Sequence, residues 1–573
     1  HCGADGPRFD ELQSLIFDRR QSMQVSRRGF TTGALSAAFA GQFAGPAFAQ
    51  QSAFSGAIDA IRAYGEAHRR HFTLPGMTLG VTAPNGFETV LNFGVADLEG
   101  QRPIGPETLF QIGSISKSMT STVIHQFAAE GRLKLTDRLS TVFPEIPLPR
   151  GNSIQVQHLL DHVAGLPSDA PTFPAGGLWT SYAPGAHWHY SNTAYHILGN
   201  LAEHVGGKPL RQLIEERVLR PLGMTRSRGA IIAADRALYA QGYEAENNAI
   251  PYAREAALAP ASWVDVTFGA GSVASTADEM NRFLRSLANA VQGRGGLGLG
   301  PQQATAFTHH FVPSDTPGMS YGNGLMQVTN GPRTYVHHTG GMLSFSSSFH
   351  IDTASGVGAF ASSTITAFAD YRPRLLTRFA VDAMADAIAG RPIPAPPPLE
   401  PPLPNASAYV GRYSGPGVAL TVASGEPLTL IANGESGQLQ PWGGEIFHTT
   451  HPQFRDYVFM FERQQGRVIA VNWGPRTFVR EGSTPIVSRA DPALARLAGR
   501  YVNDNPWFGT FRVVERGGKL WLGTDTPLVP TADNMWRIGE DSWTPERAAF
   551  SDYIDGRPQT LIMSGEKYLR HDI

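Results

Sequence analysis

The chain has 573 residues, 42% of them apolar, and 47 basic residues stand against 49 acidic ones for a formal charge of −2. That length exceeds what one hydrophobic core usually supports, so more than one domain is expected. Near-neutral charge gives no electrostatic case for nucleic acid or an anionic membrane surface, and the single cysteine, Cys2, leaves the rest of the chain without disulfides, thiolate metal sites or cysteine catalysis.

Ser26-Arg27-Arg28-Gly29-Phe30 precedes a mildly apolar stretch rich in Ala and Gly that ends in Ala47-Phe48-Ala49. This order of charge, apolar segment and small-residue site reads as a twin-arginine export signal within residues 1–49, cleaved before Gln50, and predicts a periplasmic product. The residues ahead of Met23 resemble nothing and read as an overextended reading frame. No other apolar run approaches the roughly 20 residues a membrane span needs, so stable membrane insertion is not expected.

A helix is predicted over 53–70, and strands over Met77–Ala83 and Thr89–Ala96 around the turn Pro84-Asn85-Gly86. Ser114 opens the next helix, since Leu109-Phe110 and Ile112-Gly113 precede it and apolar residues at helical spacing follow from Met119 to Ala129. Further helices are expected at 192–206, 209–218 and 276–290. Strands follow at Tyr335–His338, Ser344–Asp352 and Val357–Ser363, then a helix over Arg374–Ile388. Strands at both ends of a helical middle predict one antiparallel sheet built from the two ends of a domain spanning 50–390. Eight prolines between Pro392 and Pro404 make 391–404 a semi-rigid linker. Beyond it Gly411-Arg412-Tyr413 is echoed by Gly499-Arg500-Tyr501, and Phe478-Val479-Arg480 by Tyr568-Leu569-Arg570, which predicts two β-rich modules at 405–485 and 493–573.

Chemistry concentrates in three segments, taken in chain order: Ser114-Ile115-Ser116-Lys117, Tyr190-Ser191-Asn192 and His338-Thr339-Gly340-Gly341. Residues three apart share a helix face, so Ser114 and Lys117 place an amine beside a hydroxyl, a nucleophile with its base. A second Ser-x-x-Lys at Ser564–Lys567 contains Gly565 and reads as a hairpin turn, and Tyr-x-Asn recurs at Tyr321–Asn323 and Tyr501–Asn503, so no single match has weight. Either Lys117 or Tyr190 can act as the base: a desolvated amine loses its proton readily, and a phenolate held by a cationic Lys117 can accept one. Asn192 would orient Lys117 or the substrate's acyl amide. The segment 338–341 is expected to form an edge strand along the site, with the N–H groups of Ser114 and Gly341 as oxyanion donors and Gly340 allowing close approach. His338 would bond Tyr190 or the substrate.

With these motifs the chain resembles the serine β-lactamase and penicillin-binding-protein superfamily, in the branch of class C β-lactamases, D-aminopeptidases and related esterases. Leu159-Leu160-Asp161-His162-Val163-Ala164-Gly165-Leu166-Pro167, Pro184-Gly185, Pro221-Leu222-Gly223-Met224 and Gly269-Ala270-Gly271-Ser272 resemble phrases of the same branch, and the likeness spans roughly 53–390. It implies an α+β fold, an antiparallel sheet flanked by helices beside an all-helical subdomain, with the site between them. D-aminopeptidase-like proteins are similar in carrying two small antiparallel β-barrels after this domain, one of which sends a loop toward the site. His338 stands where β-lactamases usually have Lys, which argues for poorer recognition of a carboxylate. The expected activity is a serine hydrolase working through acyl-Ser114 on a small-molecule, short-peptide or ester substrate, with no metal and no cofactor. The alternatives are a carboxylesterase of the same family or a catalytically silent cell-wall or peptide-binding protein; oligomeric state is not specified by the sequence.

Overall fold

The computed structural model describes residues 46–571 except 147, 149–152, 175–176, 248–255, 366–372, 401, 485–488 and 532–533. The twin-arginine segment and the residues ahead of Met23 lie outside the described residues, and the helix Pro46–His71 runs across the expected cleavage point. Among the described residues no helix is long and apolar enough to cross a membrane.

Strands β1 (Gly76–Thr82), β2 (Glu88–Asp97) and β3 (Arg102–Pro103) come from the start of the first domain. β4 (Phe110–Gln111) pairs with β7 (Ala274–Ser275), and β5 (Tyr243–Ala245) with β6 (Leu258–Pro260). β8 (Val312–Pro313), β9 (Met319–Gly322), β10 (Leu325–Asn330), β11 (Arg333–Gly341), β12 (Ser346–Asp352) and β13 (Gly358–Ser363) complete the set. They form a nine-stranded sheet in the order β3-β2-β1-β13-β12-β11-β10-β9-β8, so the two ends of the domain meet where Met77 faces Ser363 and Thr82 faces Gly358. The sheet built from both termini is therefore present. Its β8–β10 edge was not anticipated, because Gly318, Asn323 and Gly324 break that stretch into runs too short to show alternation.

Alternation along β13 divides the core. Ala359 and Ala361 join a cluster with Ala57, Ile61 and Tyr64 of the first helix and Phe379, Ala380 and Met384 of the helix Arg374–Ile388. Phe360 points the other way, into the cluster of Met280, Phe283 and Leu287 from the helix Ala277–Val291. Phe379 packs edge-on to Tyr64 with centroids 5.0 Å apart, and its truncation to Ala would cost about 3–5 kcal/mol.

The helix Ser116–Ala129 threads the helical side and is buried from Ser116 to Phe127. Met119, Val123, Ile124 and Phe127 pack with Tyr195, Leu198 and Leu201 of the helix Asn192–Gly206. Its hydroxyls find acceptors: Ser118 donates to the Ile115 carbonyl and Thr122 to the Ser118 carbonyl within the same segment, and Thr120 to the distant Gly269 carbonyl. A helix with so many polar residues can therefore sit at the centre of the molecule.

One expectation holds only locally. The strand bearing His338 is interior to the sheet: β11 pairs with β12 from Tyr335 to Gly341 and with β10 from Arg333 to His337. The pairing with β10 ends at His337, so the edge character inferred from the paired glycines is local to the last four residues.

The described residues of 391–404 form no helix or strand, and Ile393 and Leu399 rest on the cluster containing Phe379. Two closed eight-stranded antiparallel barrels follow, between Gly411 and Arg480 and between Gly499 and Arg570. The sequence repeat is their closure. Tyr413 pairs with Arg480 and Tyr501 with Arg570, joining first strand to last, and each Tyr hydroxyl donates to the carbonyl four residues back, Tyr409 and Leu497. Arg480 and Arg570 cap the same seams by donating to the carbonyls of Val410 and Ala498. Arg516 rivets the two barrels together, giving 2.7 Å bonds to Gly474 in one and Thr524 in the other.

Candidate active site

Ser114 lies in the tight turn Gly113–Ile115 that leads into the helix Ser116–Ala129, half-buried, while Gly113, Ile115 and Lys117 are buried. Strand β11 presses against this turn, and two glycines permit the approach. A Cβ on Gly340 would stand 2.0 Å from the Ile112 carbonyl oxygen, and one on Gly113, at φ +53°, would stand 2.8 Å from Gly341 N. Ser347 Oγ donates to the same Ile112 carbonyl at 2.7 Å, fastening the turn to β12 as well.

Lys117 is 0% exposed, and its Nζ sits 3.0 Å from Ser114 Oγ, 2.6 Å from Asn192 Oδ1 and 3.0 Å from the Ala270 carbonyl oxygen. Asn192 Oδ1 and the Ala270 carbonyl can only accept. A neutral amine has two N–H bonds for them and one lone pair left, which points at the Ser114 hydroxyl. Burial drives the amine down to about 7, against the opposing pull of the Asp169 carboxylate.

Tyr190 turns its ring toward this amine, with Nζ 4.7 Å from the ring centroid. Ser191 caps the next helix by accepting from the Ala194 N–H, which sets Asn192 as its first residue. The Asn192 side chain bridges Lys117 and Asp169: its oxygen takes the Lys117 bond, and its Nδ2 donates to Asp169 Oδ1 at 2.8 Å. That fixes the amide orientation.

His338 is 1% exposed, and its Nδ1 lies 2.6 Å from the Thr339 carbonyl oxygen, so Nδ1 carries the proton. Nε2 then accepts from Tyr321 Oη at 3.2 Å. Burial, reinforced by the nearby Lys117 charge, lowers His338 to about 3, so it is a neutral imidazole and supplies no cation for a carboxylate.

Ser114, Lys117, Tyr190, Asn192 and His338 thus share one site, with Gly340 and Gly341 behind the turn that carries Ser114. Sequence reasoning missed four of their neighbours. Tyr321 was set aside as a chance Tyr-x-Asn. His162, at φ +61°, accepts from the Ser191 N–H through Nδ1 and packs its ring between Tyr190 and Tyr321 at 4.4 and 4.5 Å; its signal in the sequence is the phrase Leu159–Pro167, in which it stands. Asp169, two residues past that phrase, had none. Glu546, from the second barrel, accepts from the Ser168 N–H at 2.6 Å and faces His189 Nε2 at 2.8 Å.

A cavity of about 560 Å³ opens at Met342–Phe345, directly after Gly341, with Gln111, Tyr239, Trp263 and the barrel residue Trp507 in its walls. Among the described residues no three His, Cys, Asp or Glu are grouped to hold a metal ion.

Residues 59–381 match the beta-lactamase family model. A beta-lactamase of Pseudomonas fluorescens is 35% identical over 170 residues, 28% of this chain and 48% of that protein. A beta-lactamase of Escherichia coli K12 is 29% identical over 223 residues, 37% of this chain and 56% of that protein. The chain therefore spans about half the length of the curated relatives it matches. Two solved structures share the fold. The octameric penicillin-binding protein homologue from Pyrococcus abyssi has a TM-score of 0.54 at 20% identity, covering 74% of this chain and 98% of that one. The D-amino acid amidase from Ochrobactrum anthropi SV3, complexed with L-phenylalanine amide, has a TM-score of 0.50 at 22% identity, covering 58% of this chain and 99% of that one.

Proposed function

Because the chain belongs to the beta-lactamase family, we propose that it is a serine hydrolase that forms an acyl-Ser114 intermediate, and that its substrates are peptide-like amides with a free ammonium group, of the D-aminopeptidase type. The observation that carries this reading is the buried Lys117 amine, 3.0 Å from Ser114 Oγ with its other two partners both acceptors.

In the acylation step neutral Lys117 takes the Ser114 proton as Oγ attacks the substrate carbonyl. The oxyanion is held by the N–H groups of Ser114 and Gly341, a type of donor worth about 2.7–4 kcal/mol each. The proton on Lys117 then passes to the leaving nitrogen, directly or through the Tyr190 hydroxyl, and the C–N bond breaks; water then attacks the ester as Lys117 accepts its proton, the bond from the acyl carbon to Ser114 Oγ breaks, and Lys117 returns that proton to Oγ. This proposal joins the two base assignments in one relay, with Lys117 as the acceptor and Tyr190 on the leaving-group side, a reading supported by the Lys117 amine lying 4.7 Å from the Tyr190 ring centroid.

The charge pattern supports an ammonium-bearing substrate. His338 offers no positive charge, whereas Asp169 lies beside Asn192 and Glu546 and Glu566 are close enough to act on or be acted on by its charge. Burial, with Glu546 adding to it, raises Asp169, and an ammonium bound there would relieve both effects. A carboxylate-bearing β-lactam finds the opposite sign.

Incubation with a fluorophosphonate followed by peptide mass analysis is expected to show one adduct, on Ser114, and a panel of D- and L-amino-acid amides and short-chain esters is expected to favour the D-amides. Turnover that survives Ser114→Ala would sink the hydrolase reading, and turnover confined to esters would leave a carboxylesterase in its place. Export is part of the same proposal, motivated by Arg27-Arg28 and Ala47-Phe48-Ala49. N-terminal sequencing of the secreted protein should begin at Gln50, and an uncleaved cytosolic product would refute it.

A further inference from the structure

Glu546 belongs to the second barrel, in the segment between the strands Met535–Ile538 and Arg547–Ile554, yet every bond described for its carboxylate but one crosses into the catalytic domain. Oε1 accepts from the Ser168 N–H at 2.6 Å and from His189 Nε2 at 2.8 Å, while Oε2 accepts from Ser564 Oγ in its own barrel. His189 is 5% exposed and the Glu546 side chain 17%.

What these bonds hold is the turn beneath Tyr190 and Asn192. Ser168 Oγ, 3.2 Å from His189 Nε2, donates to the Tyr190 carbonyl at 3.0 Å. The Ser168 carbonyl accepts from the Asn192 N–H at 2.7 Å and from the Thr193 N–H at 3.1 Å. Asn192 in turn holds Lys117 Nζ at 2.6 Å. Glu546 is thus two hydrogen bonds from the backbone of Asn192 and three from the amine beside Ser114.

The surrounding contacts give the carboxylate a fixed mount. Trp543 stacks on His187 with centroids 4.6 Å apart and planes 7° from parallel, and its carbonyl accepts from Ser181 Oγ. Trp179 Nε1 donates to the Pro545 carbonyl at 2.8 Å. On the other side Gly565, in the turn after Ser564, is so close to Pro171 and Pro174 that an added Cβ would stand 3.2 and 3.4 Å from their rings. Two loops of the barrel therefore brace the segment 168–190 that carries the site's wall. Burial pushes the Glu546 carboxyl up, but the bonds from His189, Ser564 and Ser168 outweigh it and the net direction is below the ordinary value, so the acceptor is a carboxylate at neutral pH.

We infer that Glu546 is a positioning residue of the acyl-transfer site: through Ser168 and His189 it sets the Tyr190–Asn192 turn against Lys117, so that the second barrel completes the catalytic geometry. The inference rests on the acyl-Ser114 reading for its rate consequences and on the backbone bonds alone for its structural ones, and the experiment separates the two.

In the full-length protein, wild type, Glu546→Gln and Glu546→Ala are compared in two measurements. The first is the fluorophosphonate labelling rate constant of Ser114, normalised to the fraction finally labelled. Glu546→Ala is expected to fall roughly 100-fold, the loss that follows about 1 Å of misplacement, and Glu546→Gln, whose amide oxygen still accepts from the Ser168 N–H while its Nε2 donates to Ser564 Oγ, to recover to within roughly ten-fold of wild type. A purely structural role would reduce the labelled fraction and leave the rate constant per site alone. The second is amide hydrogen exchange, where Asn192 and Thr193 should exchange at least about ten-fold faster in Glu546→Ala while amides of the helix Ser116–Ala129 keep wild-type protection. Retained protection in that helix shows that the variant folds. A wild-type protein that fails to label, with the exchange difference present, removes the hydrolase reading and keeps the positioning of the turn. Unchanged exchange at Asn192 and Thr193, or unchanged labelling in an active wild type, overturns the inference.

Discussion

Two Ser-x-x-Lys segments occur in this molecule, and only one lies on a helix. Ser114 and Lys117 span the entry into the helix Ser116–Ala129, where the backbone brings side chains three apart together, and Nζ meets Oγ at 3.0 Å. Ser564 and Lys567 span a hairpin turn in which Met563 pairs with Glu566, Ser564 takes φ +44°, and Lys567 is exposed. There the serine gives its hydrogen bond to Glu546 and the lysine goes to water. The same four-residue spacing therefore yields a buried amine against a hydroxyl in one place and a brace in the other. Burial makes the difference: enclosure brings the Lys117 amine down to about 7.

The contrast can be broken first at the serines. Ser114→Ala is expected to reduce kcat/KM by roughly 10⁵-fold or more, as removal of a nucleophile from a coupled set does, and the measurement is steady-state hydrolysis of the best amide or ester found. Lys117→Met should follow with a loss of about 10²–10⁴-fold in the same assay, the range for a general base. If Lys567→Met matched that loss, the comparison would be wrong.

Next comes pH. Only neutral Lys117 can accept the proton, so kcat/KM should rise through an acid limb near about 7 and level off above it, a change of roughly 100-fold between pH 5 and the plateau. The stability sign is the same. Between about 7 and the ordinary value of 10.5 the unfolded chain holds a proton that folded Lys117 releases, so this residue's contribution to stability is present above 10.5 and is lost as pH falls through 7. A flat rate profile between pH 5 and 8 would remove Lys117 as the base.

Gly340→Ala tests the close approach of β11 to the nucleophile's turn. The added carbon meets the Ile112 carbonyl oxygen at 2.0 Å, and a cost of about 1–3 kcal/mol is expected by thermal or urea unfolding, with a rate loss of ten-fold or more from displaced Ser114. Smallest is Ser564→Ala, which removes one of the three donors to Glu546 and should lower stability by about 1 kcal/mol and activity by less than roughly ten-fold.

Much of the fold was legible. Helices at 192–206 and 374–388 lie where apolar spacing put them, because each has one face against the core and Gly207 or Gly390 close behind its end. Helix spacing paired Ser114 with Lys117, and the motif order shared with the resembled superfamily brought Tyr190 and Asn192 beside them. The remainder was illegible for one physical reason. Tyr321 reaches His338 across two strands, Asp169 reaches Asn192 from a loop, and Glu546 arrives from 378 residues beyond Ser168, so none of these contacts is encoded by local spacing. His338 shows the same limit. Its residue type was readable as a weaker cation, but its neutrality depends on enclosure beside Lys117, which only the assembled core provides.

That 378-residue separation between Ser168 and Glu546 also has a consequence in time. A ribosome adding roughly 5–20 residues per second needs on the order of 20–75 seconds to travel that distance, so nucleophile, amine and asparagine emerge long before the carboxylate that steadies them. A nascent chain, or one clipped between the first domain and the barrels, carries the reactive groups without their brace. Under the proposed acyl-transfer reading this acts as a delay fuse: full-speed chemistry waits until the second barrel has been made and has docked.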